Sequence, residues 1–276
     1  MVRLLAVVVA LGTAQPKIYT TSYPLAYMAQ RLAGTATFPV PKDEDPAFWR
    51  PTPEVIRRYQ QADLILLNGA GYEKWVDTTS LPLSRMVNTA AAFTNEWLMF
   101  PEVITHSHGP HGAHSHGNMD FNTWLDPVLL ARQEEAVETA LRRFVPEADL
   151  RKRGEQLRGD LKKLDEGFRA LRISPLLASH PVYNYLAKRY RWNLQSVHWE
   201  PGEEVTEAQW VEFDKLRLKH PATIMLWEDE PLPAVRAELE KRGIRIVVFE
   251  TCGNKPATGD YLSVMKTNVK RLREAL

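Results

Sequence analysis

Five of the chain's eight histidines, His106, His108, His111, His114 and His116, crowd into one stretch interspersed with Gly109, Gly112 and Gly117. A glycine-rich tract with so many imidazoles is a compositional sign of metal binding. A second group of candidate ligands is scattered. Four apolar runs in the last hundred residues, Pro175–Ser179, Asn193–Val197, Thr223–Trp227 and Ile244–Phe249, are each followed at once by His180, His198, Glu228 or Glu250. Earlier, a short extended run leads into Asp43, Glu44 and Asp45. Imidazole combined with carboxylate suits zinc, and suits manganese or iron where oxygen ligands dominate. His198, between Val197 and Trp199, also reads as a rim histidine satisfied by hydrogen bonds. Glu228, in Trp-Glu-Asp-Glu-Pro, also reads as a helix cap shared with Asp229. His220 precedes Pro221 at a helix end, where a cation favours the dipole, and is read as structural.

These residues need elements that bring strand ends together. Lys17–Thr21, Thr37–Val40, Asp63–Asn68 and Arg85–Asn88 read as strands, with helices at Pro24–Leu32 and Pro53–Gln61 between them. Glu73–Asp77 reads as a helical turn. The same rhythm resumes in the last third, with helices at 181–189, 206–219, 231–242 and 259–276. Apolar strands alternating with helices predict an α/β fold of mainly parallel sheets covered by helices. In such sheets ligands bind beyond the carboxyl ends of the strands, where the four His and Glu residues fall. Between the two βα blocks Asp126-Pro127 opens a helix that Pro146 ends. From Glu147, Leu150, Leu157, Leu161, Leu164, Phe168 and Leu171 recur at three- and four-residue spacing. An amphipathic helix of about 25 residues is nearly 40 Å long, a rigid strut between two lobes.

The division that follows is a leader at 1–14, a first α/β lobe at 15–145 carrying the histidine tract at 105–117, a linking helix at 146–172 and a second α/β lobe at 173–276. Arg3, the apolar run Leu4–Leu11 and small residues up to Ala14 have the pattern of a secretory signal. A buried first strand is the competing reading of that run, which is too short to span a bilayer. Net charge is +1, which points to neither nucleic acid nor an anionic membrane as partner. The single cysteine, Cys252, excludes an intrachain disulfide. No Gly-x-Ser-x-Gly, phosphate-cradling glycine loop or His-Glu-x-x-His is present, and no nucleophile stands beside a base, so an enzyme is not expected.

Pro51-Thr52-Pro53, Ala62-Asp63-Leu64, Asn68-Gly69-Ala70-Gly71-Tyr72-Glu73-Lys74-Trp75, Trp124-Leu125-Asp126-Pro127, Ser179-His180-Pro181 and Gly259-Asp260-Tyr261 carry a resemblance. In that order and spacing the chain resembles the periplasmic zinc and manganese solute-binding proteins of ABC transporters, the ZnuA/TroA-like group, over nearly everything after the leader. The resemblance implies two α/β lobes joined by one long helix, metal in the cleft between them, and delivery to a transporter permease. It also implies a soluble exported protein that meets the membrane only through that transporter. Zinc-type members carry a histidine-rich loop just before the Trp-Leu-Asp-Pro stretch, as here. Two ligand positions depart from the pattern. The family's histidine six residues before Pro53 is Ala47 in this chain, and the histidine two residues before Trp124 is Asn122. His180 matches a family histidine, and Glu250 stands where an acidic ligand is usual.

The expected site therefore has His180 and Glu250 as its fixed half, tract histidines such as His106 and His108 as its closing half, and Asp45 and Glu228 as reserve carboxylates. Zinc is the expected metal. Two alternatives stay open: a periplasmic zinc buffer or chaperone without a transporter, and the same fold turned to a non-metal ligand against Phe48, Trp49 and Phe121. If the tract supplies ligands, deleting 105–117 weakens zinc binding in a chelator-competition titration. Unchanged one-to-one binding by the deleted protein would remove the tract from the site.

Overall fold

Short aliphatic and β-branched runs become parallel strands, as their burial on both faces requires. The computed structural model describes residues 15–100, 105–107, 113–115, 119–173 and 175–276, the two tripeptides by backbone alone. The leader expected at 1–14, and His108, His111 and His116, lie outside the described residues.

The first lobe is built on a parallel sheet of β1 (Ile18–Thr20), β2 (Leu64–Leu67) and β3 (Met86–Asn88), in that order. Ile18 lies opposite Leu64, and Ile65 opposite Met86. The strand expected at 37–40 shrinks to one parallel bridge between Thr37 and Tyr19. Pro39 and Pro41 have no N–H to continue the ladder. Helix α1 (Tyr23–Ala33) ends at Gly34, whose φ of 75° supplies the left-handed turn that closes it. Helix α2 (Pro53–Gln60) starts with proline in its first turn, and Thr52 accepts from the Val55 N–H.

Antiparallel pieces follow. β4 (Leu98–Met99) pairs with β7 (Met119–Asp120), so the chain leaves and returns at one place. Within that excursion β5 (Thr105–Ser107) pairs with β6 (Ala113–Ser115), setting His106 opposite His114. The histidine tract, expected as an irregular loop, thus includes a short hairpin.

Asp126 then caps α3 (Pro127–Leu141), accepting from the N–H groups of Val128 and Leu129. Helix α4 (Glu147–Arg169) is the expected strut; 23 residues make it about 35 Å long. Its Leu157, Leu161, Leu164 and Phe168 pack into one continuous core with Met28 and Leu32 of α1, Val137 and Leu141 of α3, and residues of the last helix. Gly154 lets α3 and α4 approach, because a Cβ there would overlap the Glu138 carboxylate. Across this contact Arg158 Nη1 lies 2.7 Å from Glu134 and 2.6 Å from Glu138.

The second lobe has four parallel strands in the order β11-β10-β8-β9: β8 (Leu176–Ala178), β9 (Leu194–Ser196), β10 (Ile224–Trp227) and β11 (Arg245–Val248). Helices α5 (Asn184–Tyr190), α6 (Glu207–Lys219) and α7 (Pro233–Lys241) connect them. Helix α8 (Tyr261–Ala275), capped by Asp260 and Ser263, closes the chain against α4 and β11. The fold is the expected one: two α/β lobes with parallel sheets, bridged by one long helix. Among the described residues no helix is long and apolar enough to cross a membrane.

The Glu134 side chain is fully buried, and burial pushes its carboxyl up to about 7 despite Arg158. Arg158→Ala would leave that group without its cation. Because Arg158 is 30% exposed, and Glu134 can take up a proton, the cost falls below that of a fully buried pair, at roughly 2 kcal/mol. Urea unfolding at pH 7.5 checks this, with Glu138→Gln as the milder comparison.

Candidate metal site between the lobes

The carboxyl ends of both sheets face each other, and a cavity of about 170 Å³ lies between them. From the first lobe it is lined by Asp45, Ala47 and Phe48, by Tyr72, and by Phe121, Asn122 and Trp124. From the second lobe come His180 after β8, Glu200 after β9, Glu228 after β10, and Thr251 with Gly253 after β11. The strand-end arrangement expected from the sequence is therefore present, with changes in which residues fill it.

His180 is 6% exposed. Its Nδ1 lies 3.0 Å from Glu200 Oε1. Burial alone would favour the neutral ring. The adjacent Glu200 carboxylate and the charges of Glu228 and Asp45 outweigh it and raise the imidazole above its usual range. Glu228 is partly buried, and desolvation pushes its carboxyl up to about 7. The imidazole of His180 pulls the other way, Glu200 and Asp45 push further up, and Thr251 Oγ1 reaches it at 3.4 Å. Asp45 is exposed, and its carboxylate accepts the Ala47 N–H at 2.8 Å. An imidazole and carboxylates from both lobes are thus electrostatically coupled around one small cavity.

The other sequence candidates stand elsewhere. Glu250 does not line the cavity. Its Oε1 lies 3.2 Å from Arg271 of α8, and Asn268 of the same helix donates to its backbone carbonyl. Phe249, one residue earlier, is fully buried. The alternation of the extended chain turns the next side chain to the helix-covered face, where Arg271 takes the carboxylate. The pairing of His180 with Glu250 as the fixed half of the site is corrected on that ground: Glu228 is the strand-end carboxylate beside His180. His198 is exposed, with its ring edge-on to His180 at a centroid distance of 6.0 Å. Burial, then the neighbouring His180, holds it below its usual range. His220 is buried at the end of α6, with Nε2 2.8 Å from the Leu176 carbonyl, a structural bond. For His106 only the backbone is described, and His108 lies outside the described residues. Among the described residues no three His, Cys, Asp or Glu side chains form a metal-holding group.

The two departures from the family pattern have visible consequences. Ala47 is buried and lines the cavity beside Phe48 with a methyl group that offers no donor. Asn122 donates from both its backbone N–H and its side-chain amide to Asp120 Oδ1, each at 2.9 Å. Asp120 Oδ2 accepts from Asn184 of α5 at 3.0 Å, and Tyr185 donates to the Asp120 carbonyl. Asn122 therefore joins a hydrogen-bond cluster that ties β7 to the second lobe. A further seam runs beside the cavity. Trp124 Nε1 donates to the Thr251 carbonyl at 2.8 Å, Tyr261 donates to the Trp124 carbonyl, and Asn254 donates to the Pro41 and Glu44 carbonyls. Glu200 was missed in the sequence because it stands four residues past β9, one polar group among Glu200, Glu203 and Glu204.

The family model described as "Zinc-uptake complex component A periplasmic" matches residues 18–275. The high-affinity zinc uptake system protein ZnuA of Bacillus subtilis (strain 168) is 24% identical over 285 residues, covering 94% of this chain and 87% of that protein. Among solved structures, the metal-dependent lipoprotein YcdH from Bacillus subtilis superposes with a TM-score of 0.80 at 20% identity, covering 95% of this chain and 99% of the other. The Zn(II)-bound ZnuA-like domain of Streptococcus pneumoniae AdcA gives 0.77 at 21% identity, with 95% and 98% covered. At these identities the structural likeness bears on the fold alone. The family match spans nearly the whole chain, and the protein belongs to the family of periplasmic zinc-uptake component A proteins, solute-binding proteins rather than enzymes.

Proposed function

We propose that this protein captures a divalent transition metal, zinc foremost, in the cavity between its lobes and delivers it to the permease of an ABC importer outside the cytoplasm. The observation that carries this is the placing of buried His180 and partly buried Glu228 on one cavity, with Asp45 contributed by the opposite lobe. A desolvated carboxylate beside an imidazole favours a cation, and a bound metal supplies one. His180, Glu228 and Asp45 line the cavity without assembling into a complete ligand group, and a tetrahedral zinc site takes four donors. The histidine tract, springing from the β4–β7 pair three residues before Asn122, supplies the rest through His106 or His108. An oxygen-rich set of this kind also accepts manganese or iron. The relatives' zinc-uptake role and the zinc-bound AdcA domain support zinc as the cargo.

Capture requires His180 to ligate as the neutral ring, so protons compete with metal. With His180 raised, and Glu228 at about 7, the competition is felt from neutral pH downward. Calorimetric zinc affinity is expected to fall at least about tenfold between pH 7.5 and pH 5.5, with proton release seen as a buffer-dependent heat. Equal affinity at both values would exclude histidine ligation. His180→Ala should weaken zinc by roughly 100-fold, whereas Glu250→Gln should change it by less than about twofold.

Glu228 also links the site to stability. The folded protein holds its carboxyl proton up to about pH 7, whereas the ordinary value is 4.5. Raising pH from 4.5 through 7 therefore destabilises the metal-free protein through this group. Glu228→Gln is expected to raise the melting temperature of metal-free protein at pH 8, to approach parity near pH 4.5, and to weaken zinc binding at pH 8. Thermal melts at both pH values with chelator present check the sign.

A further inference from the structure

The wall that the first lobe gives the cavity is largely aromatic. Phe48, Tyr72, Phe121 and Trp124 all line it. Tyr72 stands edge-on to Phe121 at a centroid distance of 5.1 Å and to Trp124 at 5.6 Å, and Phe121 and Trp124 lie within 19° of parallel. The cluster is anchored by its polar contacts. Trp124 Nε1 donates to the Thr251 carbonyl, and the Phe121 carbonyl accepts from the Asn68 amide at 3.1 Å. Beside the rings, Ala47 adds only a methyl, and the Asn122 amide is committed to Asp120. Aromatic rings offer no lone pair to a bare divalent ion, which takes nitrogen, oxygen or sulfur donors. Their faces do attract an organic cation, and more strongly where water is excluded.

The same cavity is negatively charged. Asp45, Glu200 and Glu228 line it against one imidazole, His180, and no Lys or Arg stands among the described lining residues. Between rings and carboxylates lies a hydroxyl. Tyr72 is 2% exposed, and its hydroxyl has no hydrogen-bond partner among the described residues. Burial, then Asp45 on the same wall, holds the phenol well above its ordinary range, so it keeps its proton. A hydroxyl shut in without a partner is costly, and a ligand that supplies one removes that cost. A cavity of about 150 Å³ takes a benzene-sized molecule, so the 170 Å³ here has room for more than a bare ion. We propose that the cavity is a binding site for a small protonated amine, its ammonium N–H groups shared among Asp45, Glu228 and the Tyr72 hydroxyl and its carbons against Phe48, Phe121 and Trp124. This goes beyond metal capture: the ammonium ion and a metal ion are alternative occupants that exclude each other.

The test uses the full chain, freed of metal by dialysis against chelator, at pH 8, where an alkylammonium keeps its charge as a lysine side chain does. Butylammonium, its neutral analogue 1-butanol, and tetramethylammonium are titrated by calorimetry. Butylammonium should bind one-to-one, at least about tenfold more tightly than 1-butanol, and saturating zinc should displace it. Tyr72→Phe should weaken butylammonium roughly 3–10-fold and leave tetramethylammonium, which has no N–H, within about twofold. Phe121→Leu should weaken both cations by roughly 3–10-fold. Melting curves establish that each variant is folded. Equal affinity for butylammonium and 1-butanol would make the cavity merely apolar and overturn the proposal. Butylammonium that stays bound at saturating zinc, or that neither substitution weakens, would sit elsewhere and overturn it too. No butylammonium binding by protein that takes up one zinc would overturn it while leaving metal capture standing. Butylammonium binding by protein that takes up no zinc would uphold it and overturn metal capture.

Discussion

A carboxylate in a desolvating cleft favours a nearby cation or its own proton, and Glu228, partly buried at the interlobe cavity, is in that position. Its place follows from the parallel register of the second sheet, which sets the residue after β10 at the floor of the interlobe cavity. His180 reaches the same floor from β8, the adjacent strand. The first lobe roofs both with Phe48, Phe121 and the exposed Asp45. The electrostatics of the site are thus a product of sheet order: two neighbouring strands end in an acid and a base, and the opposite lobe lowers the dielectric around them.

The lobes are held for this purpose by two different kinds of contact. Away from the cavity, α4 packs against α1 and α3 of the first lobe and α8 of the second, with a continuous aliphatic seam and the Arg158 bridge across it. Beside the cavity the contacts are polar and directional: Trp124 to Thr251, Tyr261 to Trp124, Asn184 to Asp120. The apolar seam is non-directional, whereas the hydrogen bonds are directional and resist displacement of one wall against the other.

Much of this was legible in the sequence. The aliphatic strands of the second lobe, the three- and four-residue spacing of α4 and the proline at the start of α2 act locally, and each is found where the pattern placed it. What escaped the sequence was the direction of side chains just past a strand. Glu250 follows its strand as Glu228 does, but Phe249 enters the core and hands the next residue to Arg271, twenty-one positions away. Glu200 was invisible for the converse reason. Its place beside His180 comes from backbone pairing that runs beyond the residues whose composition marks β9. The strand expected at 37–40 failed through its prolines, a local signal whose effect on the ladder was not weighed.

The amide of Asn122 has a consequence for how such a site can change over generations. With both its nitrogens committed to Asp120, and Asp120 tied in turn to Asn184 and Tyr185, the position has become part of an interlobe clasp. An imidazole at position 122 would take an amide donor from a buried acid before it gained any metal contact. Such a substitution is unfavourable alone and asks for a compensating change at position 120 or 184.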